Sequence, residues 1–352
     1  MEDTGRRFDG PKLESFAVAV LKKVGVPQEN AEAVAHSLLA ANLRGVDTHG
    51  ITRLPIYVER VQAGLTDGSA RGVVVSESET TGVVDGQNGL GQVIGTAGMR
   101  LAIAKAQKAG VGLVTVRNST HFGTAGYYAM MALDHDMIGV SLTNSPSLMA
   151  PWGGKRPFFG TNPLAIAVPA GEERPFVLDM ATSVVARGAI ILAAKKGEPI
   201  PPTWAMNADG EPTTSAKEAN EGGALLPLGG HKGFGLAMAI EILVATLAGG
   251  PFGPHLGELY NNPDKPQGVG HFFGAIRIDR FRPVREFKAE MDAMIREVKA
   301  QPLGKGFKEI MVAGEPEYNI EAERREKGIP LSAAVVGDLT KLGSSVGVPF
   351  DL

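Results

Sequence analysis

The sequence predicts an α/β protein with a helical N-terminal unit, and three observations carry that expectation. Apolar residues recur at helical spacing over 11–64. From about residue 70, short β-branched runs alternate with helical stretches. The 352 residues are 43% hydrophobic and 21% charged, enough apolar material for a sizeable core.

The elements follow in order. Leu13, Phe16, Ala17, Val20, Leu21 and Val24 mark a first helix. Pro27 opens a second, with Ala31, Val34, Ala35, Leu38 and Leu39 on its apolar face. A third starts near Ile51 and stops at Gly64. Strands are expected over 72–76 and 81–85, with a turn at 86–89. A helix over 92–108 ends at Gly110 and leads into a buried strand over 111–116. A helix over 124–133 precedes a strand over 138–143, and further strands fall at 164–168, 176–180 and 270–278. A long buried helix is expected over 230–247 and an amphipathic one over 283–298. The tail from Glu321 begins as a charged helix and ends apolar. These elements divide into a helical unit over 1–70, a central α/β unit over 71–280, and C-terminal elements over 281–352 that return to the first unit.

Several function classes are excluded. The net charge of −3 leaves no basic footprint for nucleic acid or an anionic membrane. With no cysteine, there are no disulfides, thiolate metal sites or cysteine nucleophile. The seven histidines include no H-E-x-x-H pair, and no metal is expected. The N-terminus lacks a signal pattern, and the longest apolar run, over 233–247, is broken by Glu241, so a cytoplasmic protein is expected. The nearest approach to a dinucleotide fingerprint is GLGQVIG over 89–95. Its third glycine falls one position late, and it reads as a helix start after a turn, not after a parallel strand.

Four constellations could carry chemistry. RGVDTHGITR over 44–53, with Tyr57 beyond it, spans the junction of the second and third helices. Arg53 can grip a carboxylate through two N–H groups, and Tyr57 shares its helix face. His49 can move a proton at neutral pH, with Thr48 orienting its ring. The same residues also read as a Thr48 helix cap and an Asp47–Arg53 surface pair. RNSTHFGTAGY over 117–127 leaves a strand and enters a helix, where α/β proteins hold ligands. It offers His121 as a second acid/base or cofactor group, or else a polar loop capped by Ser119 or Thr120.

In FVLDMATS over 176–183, Asp179 is the only charge in an apolar stretch and needs a partner. A histidine, or the start of a helix at Ser183, would supply one. LGGHKGFG over 228–235 puts His231 and Lys232 on a glycine-rich helix start suited to a pyrophosphate, or to an ordinary turn. Asn144, Thr161 and the pair Gly314-Glu315 are lesser polar groups in loops. His36, His135, His255 and His271 read as ordinary structural histidines.

Taken in order, the segments over 43–53, 118–128, 150–168, 176–186, 201–213, 225–236 and 312–315 resemble the malate/L-lactate dehydrogenase family that lacks a Rossmann domain. Its relatives include ureidoglycolate and sulfolactate dehydrogenases, diketogulonate reductase and the reductase of piperideine- and pyrroline-2-carboxylate. The resemblance implies a non-Rossmann NAD(P)-binding fold with a mixed, largely antiparallel sheet, and a homodimer. It implies hydride transfer between NAD or NADP and C2 of a small 2-hydroxy or 2-oxo acid, with a cyclic imino acid as the alternative substrate.

The resemblance makes His49 the proton donor, Thr48 its hydroxyl partner and Arg53 the carboxylate anchor, with Tyr57 and Asn144 beside the substrate. His121, Phe122, Gly123, Thr124, Ala125, Thr161, Asp179, Met180, Ala181, His231, Lys232, Gly314 and Glu315 then line the cofactor. His121 and Asp179 also stand as catalytic candidates. Thr48 stands where the family commonly has serine, and the hydroxyl is kept. The loop 145–148 varies among members, which leaves substrate choice open.

Overall fold

The computed structural model describes residues 6–260 and 265–352. A short strand, β1 (Arg6–Phe8), precedes α1 (Gly10–Lys23), whose start is capped by the Asp9 carboxylate on the Lys12 N–H. Next come α2 (Gln28–Leu43), two tight turns at Asp47–His49 and Ile51–Arg53, and α3 (Leu54–Gln62). Leu13, Phe16, Val20, Leu21, Val34, Leu38, Leu54 and Val58 close one core between these helices.

The central unit holds β2 (Val73–Glu77), β3 (Thr81–Asp85), α4 (Gly91–Ala109), β4 (Val111–Ser119), α5 (Ala125–Met130), β5 (Met137–Thr143), β6 (Leu164–Val168) and β7 (Phe176–Met180). A smaller layer follows, with α6 (Arg187–Lys196), β8 (Ala205–Met206), α7 (Ala216–Asn220) and β9 (Ala224–Leu225) around Met149, Ile190, Ile200 and Leu225. Then come α8 (His231–Glu241), which runs on into a π-helical turn at Ile242–Thr246, and β10 (Val269–Arg277). The chain ends with α9 (Val284–Lys299), α10 (Glu315–Lys327), β11 (Ile329–Leu331) and α11 (Ala333–Val346).

Seven strands form one sheet in the order β2-β3-β4-β10-β5-β6-β7. Every neighbouring pair is antiparallel except β3 and β4. The sheet is therefore mixed and largely antiparallel, as expected. β10 is late in the chain yet lies at the centre, between β4 and β5. One expectation is corrected: because β3 and β4 are parallel, GLGQVIG does join a strand to a helix within a parallel pair.

That segment still offers no phosphate site. The Gly91 N–H is bonded to Thr120 Oγ1 at 2.9 Å, and a Cβ on Gly91 would lie 2.3 Å from the Thr120 carbonyl oxygen. The start of α4 is thus covered by the chain at 120–121. Gly95 likewise admits the Tyr128 ring, 2.7 Å from where a Cβ would stand.

The two ends of the described chain meet. β1 pairs antiparallel with β11, α11 packs on α1 and α3, and α10 on α2. Ile329, Leu331 and Leu339 complete the core of the N-terminal helices. At the far edge of the sheet, the Val177 N–H of β7 binds the Ala313 carbonyl at 3.0 Å, which brings the Gly314 loop alongside. No helix among the described residues is long and apolar enough to cross a membrane.

Candidate functional site

The turns between α2 and α3 are held from beneath. Asn42 donates to Asp47 Oδ1 at 2.7 Å and accepts the Ile51 N–H at 2.7 Å. Gly50 is needed for this approach, since a Cβ there would sit 2.2 Å from Asn42 Oδ1. From α10, Arg324 grips Asp47 with both terminal nitrogens, at 2.6 and 2.9 Å. The surface readings of this segment are overturned as a result. Asp47 is paired with Arg324 and not with Arg53, and the Thr48 side chain caps no helix.

Arg53 is left facing its own loop. Its Nε donates to the Thr48 carbonyl at 2.6 Å, and a terminal nitrogen donates to the Tyr260 hydroxyl. Thr48 Oγ1 lies 3.0 Å from His49 Nδ1. The His49 ring stacks on His121, with centroids 5.4 Å apart and planes 24° apart. His121 Nδ1 is 2.7 Å from the Tyr57 hydroxyl, and its main-chain N–H donates to Gln267 Oε1 at 3.1 Å. Thr48, His49, Arg53, Tyr57 and His121 therefore form one connected cluster.

The cleft is electrostatically asymmetric. Burial, then the charge of Arg53, lowers His49 to about 4. Burial first, then His49, Arg53 and His271, holds His121 well below the ordinary imidazole range. Burial also raises the Tyr57 phenol. At neutral pH both rings are uncharged beside a permanent guanidinium.

A second set of expected residues forms a strip along the ends of β6 and β7. Asp179 Oδ2 accepts the Gly126 N–H of α5 at 2.7 Å. Desolvation by the surrounding chain raises its carboxyl to about 6 although the side chain keeps an exposed edge, against the Gly126 N–H and the charge of Arg44, which lower it. The anticipated partners are corrected here: no histidine is bonded to Asp179 among the described residues, and α6 starts at Arg187, beyond its reach as a cap. The Thr161 carbonyl accepts both the N–H and the hydroxyl of Thr182, at 2.8 and 2.9 Å, and the Thr182 carbonyl accepts the Leu228 N–H at 2.9 Å. This stitches 161 and 182 to 228, with Met180 and Ala181 half-buried between. Gly229 and Gly230 follow with φ of 59° and 67°, then His231 and Lys232, both exposed. Gly123 and Thr124 precede α5, whose Gly126 meets Asp179, and Gly314 sits against Val177.

Four expected contacts are corrected. The Phe122 ring is wedged between Tyr128 and His271, at 4.6 and 4.5 Å, and Ala125 is buried, so only their backbones can meet a ligand. Asn144 is 2% exposed and committed to the fold, donating to Glu241 at 3.0 Å and accepting the Gly270 N–H at 2.9 Å. The Glu315 carboxylate is taken by Lys299 and the Val312 N–H.

Asn42, Gln267 and Arg324 escaped the sequence reading. For Asn42 there was a signal, a polar residue on the buried side of an apolar helix; Gln267 and Arg324 gave none, because they arrive from distant chain. His271 is a structural histidine, as expected, set between Thr143 Oγ1 and Ser119 Oγ at 2.8 Å each. Thr120 serves α4, not α5, which has no side-chain cap.

The family model for malate/L-lactate dehydrogenase matches residues 8–340. The chain belongs to the malate/L-lactate dehydrogenase family. This dehydrogenase is 44% identical to a malate dehydrogenase of Pyrococcus abyssi, over 97% of this chain and 95% of that one. It is 41% identical to an L-sulfolactate dehydrogenase of Methanocaldococcus jannaschii, over 96% of each chain. Among solved structures, a malate dehydrogenase from Entamoeba histolytica superposes with a TM-score of 0.95 at 37% identity, covering 99% of this chain and all of that one. The protein is an oxidoreductase of 2-hydroxy acids that works with NAD or NADP.

Proposed function

We propose that this dehydrogenase interconverts a small 2-oxo acid and its 2-hydroxy acid in the cleft between His49, His121 and Arg53. One observation carries the reading: two stacked neutral imidazoles stand beside a guanidinium hydrogen-bonded to the Thr48 carbonyl.

Arg53 meets the substrate carboxylate through two N–H groups of its terminal nitrogens, one of which bonds Tyr260 in the absence of substrate. With Nδ1–H given to Thr48 Oγ1, His49 Nε2 keeps a free lone pair toward the substrate. In oxidation that lone pair takes the hydroxyl proton, and in reduction it returns it. A carboxylate on Arg53 also offsets the positive charge that depresses His49, so its basicity rises once substrate is in place. His121 steadies the C2 oxygen as a neutral hydrogen-bond donor.

The strip fits a dinucleotide. Gly229 has left-handed backbone with open space above its Cα, and Lys232 stands exposed three residues on, so an anion can approach the main chain closely. Lys232 and the glycines would hold the pyrophosphate. The Gly123–Thr124 backbone, Thr161, Asp179, Met180, Ala181, His231 and Gly314 would line the remainder, outside any Rossmann βαβ unit. When bound, the nicotinamide supplies or accepts a hydride at C2.

The partner is a second copy of this chain. Leu236, Met238 and Ile242 are exposed on α8 and its π turn, and Leu247 is exposed just beyond it. An apolar face of that size is rarely left to water in a monomer. Sedimentation that returns a monomer would remove this part of the reading.

The test is a panel of pyruvate, oxaloacetate, 3-sulfopyruvate and pyrroline-2-carboxylate, each with NADH and NADPH, followed at 340 nm. Turnover of at least one acyclic 2-oxo acid is expected. Turnover of the imine alone, or a flat trace throughout, overturns the proposal.

A further inference from the structure

Arg53, Tyr57 and Arg60 stand at i, i+4 and i+7 along α3 and the turn before it, so they share one face. Two described stretches of chain, 255–260 and 265–267, lie across that face and close on each other. The Gly257 N–H donates to the Gln267 carbonyl at 2.9 Å, and Lys265 Nζ donates to the His255 carbonyl at 2.6 Å. Arg60 is buried, and its guanidinium donates to the carbonyls of Glu258 and Leu259 at 3.3 Å and of Lys265 at 3.0 Å. A buried charge must be matched in this way, and the match clamps both stretches to α3.

The clamped chain reaches the site at two points. Gln267 Oε1 accepts the His121 N–H at 3.1 Å, and Tyr260 meets Arg53. The second contact has a chemical consequence. Arg53 Nε is given to the Thr48 carbonyl, which leaves the terminal nitrogens for a ligand. One of them donates to the Tyr260 hydroxyl, and the guanidinium carbon lies 5.4 Å from the centre of the Tyr260 ring. A guanidinium only donates, so the phenol oxygen is the acceptor and its own proton is uncommitted. Tyr260 is 54% exposed and makes no other hydrogen bond among the described residues. An O–H with a free proton therefore stands beside a cation with free N–H groups. That set matches a carboxylate, which accepts at about four lone-pair positions.

We propose that Tyr260 is a further substrate-binding residue: its hydroxyl accepts from Arg53 and donates its own proton to the carboxylate that Arg53 holds. Arg60 is the positioning residue behind it, keeping the Tyr260 backbone over the guanidinium. This rests on the reading of Arg53 as the carboxylate anchor.

The probe is oxamate, a non-reacting isostere of pyruvate, titrated by calorimetry into the full chain loaded with NADH or NADPH. Tyr260→Phe keeps the ring and loses the proton. Oxamate should then bind about 10–100-fold more weakly, the scale of one hydrogen bond to a charged group, while cofactor fluorescence reports unchanged NAD(P)H affinity. In steady state the loss should fall on KM of the 2-oxo acid more than on kcat. Arg60→Lys should also weaken oxamate, but should add nothing in a Tyr260→Phe background, because it acts through Tyr260. If Arg60→Lys does not fold, Tyr260→Phe, an exposed change, decides alone.

Oxamate binding to Tyr260→Phe as well as to the wild type, or better, overturns the proposal, since the phenol would then be idle or a competitor for the same N–H. A loss in Arg60→Lys that adds in full to that of Tyr260→Phe overturns the positioning role. Oxamate that ignores the wild type, or binds Arg53→Ala equally well, would instead remove the anchor itself.

Discussion

Two polar clusters lie inside this protein, and they are built on opposite terms. Around Glu241, at the end of α8, everything is matched. Its carboxylate accepts Asn144 at 3.0 Å, Asn162 at 2.6 Å and the Gly253 N–H at 3.0 Å, and Asn144 accepts in turn from Gly270. Around His49 and His121 the fittings are partial. Each ring has one nitrogen engaged, and neither side-chain amide atom of Gln92 is bonded among the described residues. The first cluster uses buried polarity to fix a loop junction. The second keeps capacity in reserve for a ligand. Saturation, more than burial or residue type, separates scaffold from site.

The sharpest break of that contrast is His49→Ala. Turnover should fall about 10²–10⁴-fold while NAD(P)H still binds, as read by steady-state rates and by cofactor fluorescence. Normal turnover would move His49 to the scaffold side. Next is Arg53→Ala, which removes charge-assisted bonds to the carboxylate. Each is worth about 1.5–3 kcal/mol, so losing both should lower kcat/KM for the 2-oxo acid about 10²–10⁴-fold, chiefly through KM. Such a loss in kcat alone would mean that Arg53 does not hold substrate.

The pH dependence of the same cleft follows from His49, lowered to about 4. Reduction needs the protonated ring, so kcat/KM for reduction should fall about tenfold per pH unit above that value, while oxidation stays level through neutrality. A reduction profile flat from pH 5 to 8 would contradict proton donation by His49.

On the scaffold side, Glu241→Ala orphans the Asn144 amide and the Gly253 N–H, at about 1–3 kcal/mol each if neither finds water, while Asn162 keeps its bond to the Ala237 carbonyl. The expected outcome is a clear fall in Tm with kcat of the surviving enzyme nearly intact. His271 gives the smallest effect. Burial lowers it to about 3, against an ordinary value of 6.5, so the unfolded chain binds the proton first. Its contribution to stability is complete above pH 6.5 and is lost as pH falls toward 3. That amounts to about 2 kcal/mol between pH 6.5 and 5, measured by urea unfolding. His271→Gln should flatten that slope.

Much of this was legible in the sequence, and what was not has a common physical cause. The helices α1, α2 and α4 and the strands β3 to β7 declare themselves through local spacing, and β10 does so too. Its central place does not, because strand order depends on which distant edges meet. β1 and β11 have three residues each and pair across the whole described chain, so no local pattern marks them. β8 and β9 have two residues each and were missed for the same reason. In the site, His49, Arg53, Tyr57 and His121 were visible as dense polar runs beside apolar ones. Asn144 and Glu315 looked like members of that group because sequence shows polarity but not whether it is already spent. The reverse error hid Gln92, which in a helical pattern resembles any solvent-facing residue yet is wholly buried.

The pairing of β1 with β11 has a consequence during synthesis. When α1 to α3 leave the ribosome, Ile329, Leu331 and Leu339 do not yet exist, and Asp47 still lacks Arg324. The loop that bears His49 thus has Asn42 beneath it but not Arg324, and an oily surface stays uncovered, until translation is nearly finished. A nascent chain stalled before residue 324 should be chaperone-bound and inert, although every group assigned to proton transfer has already been made.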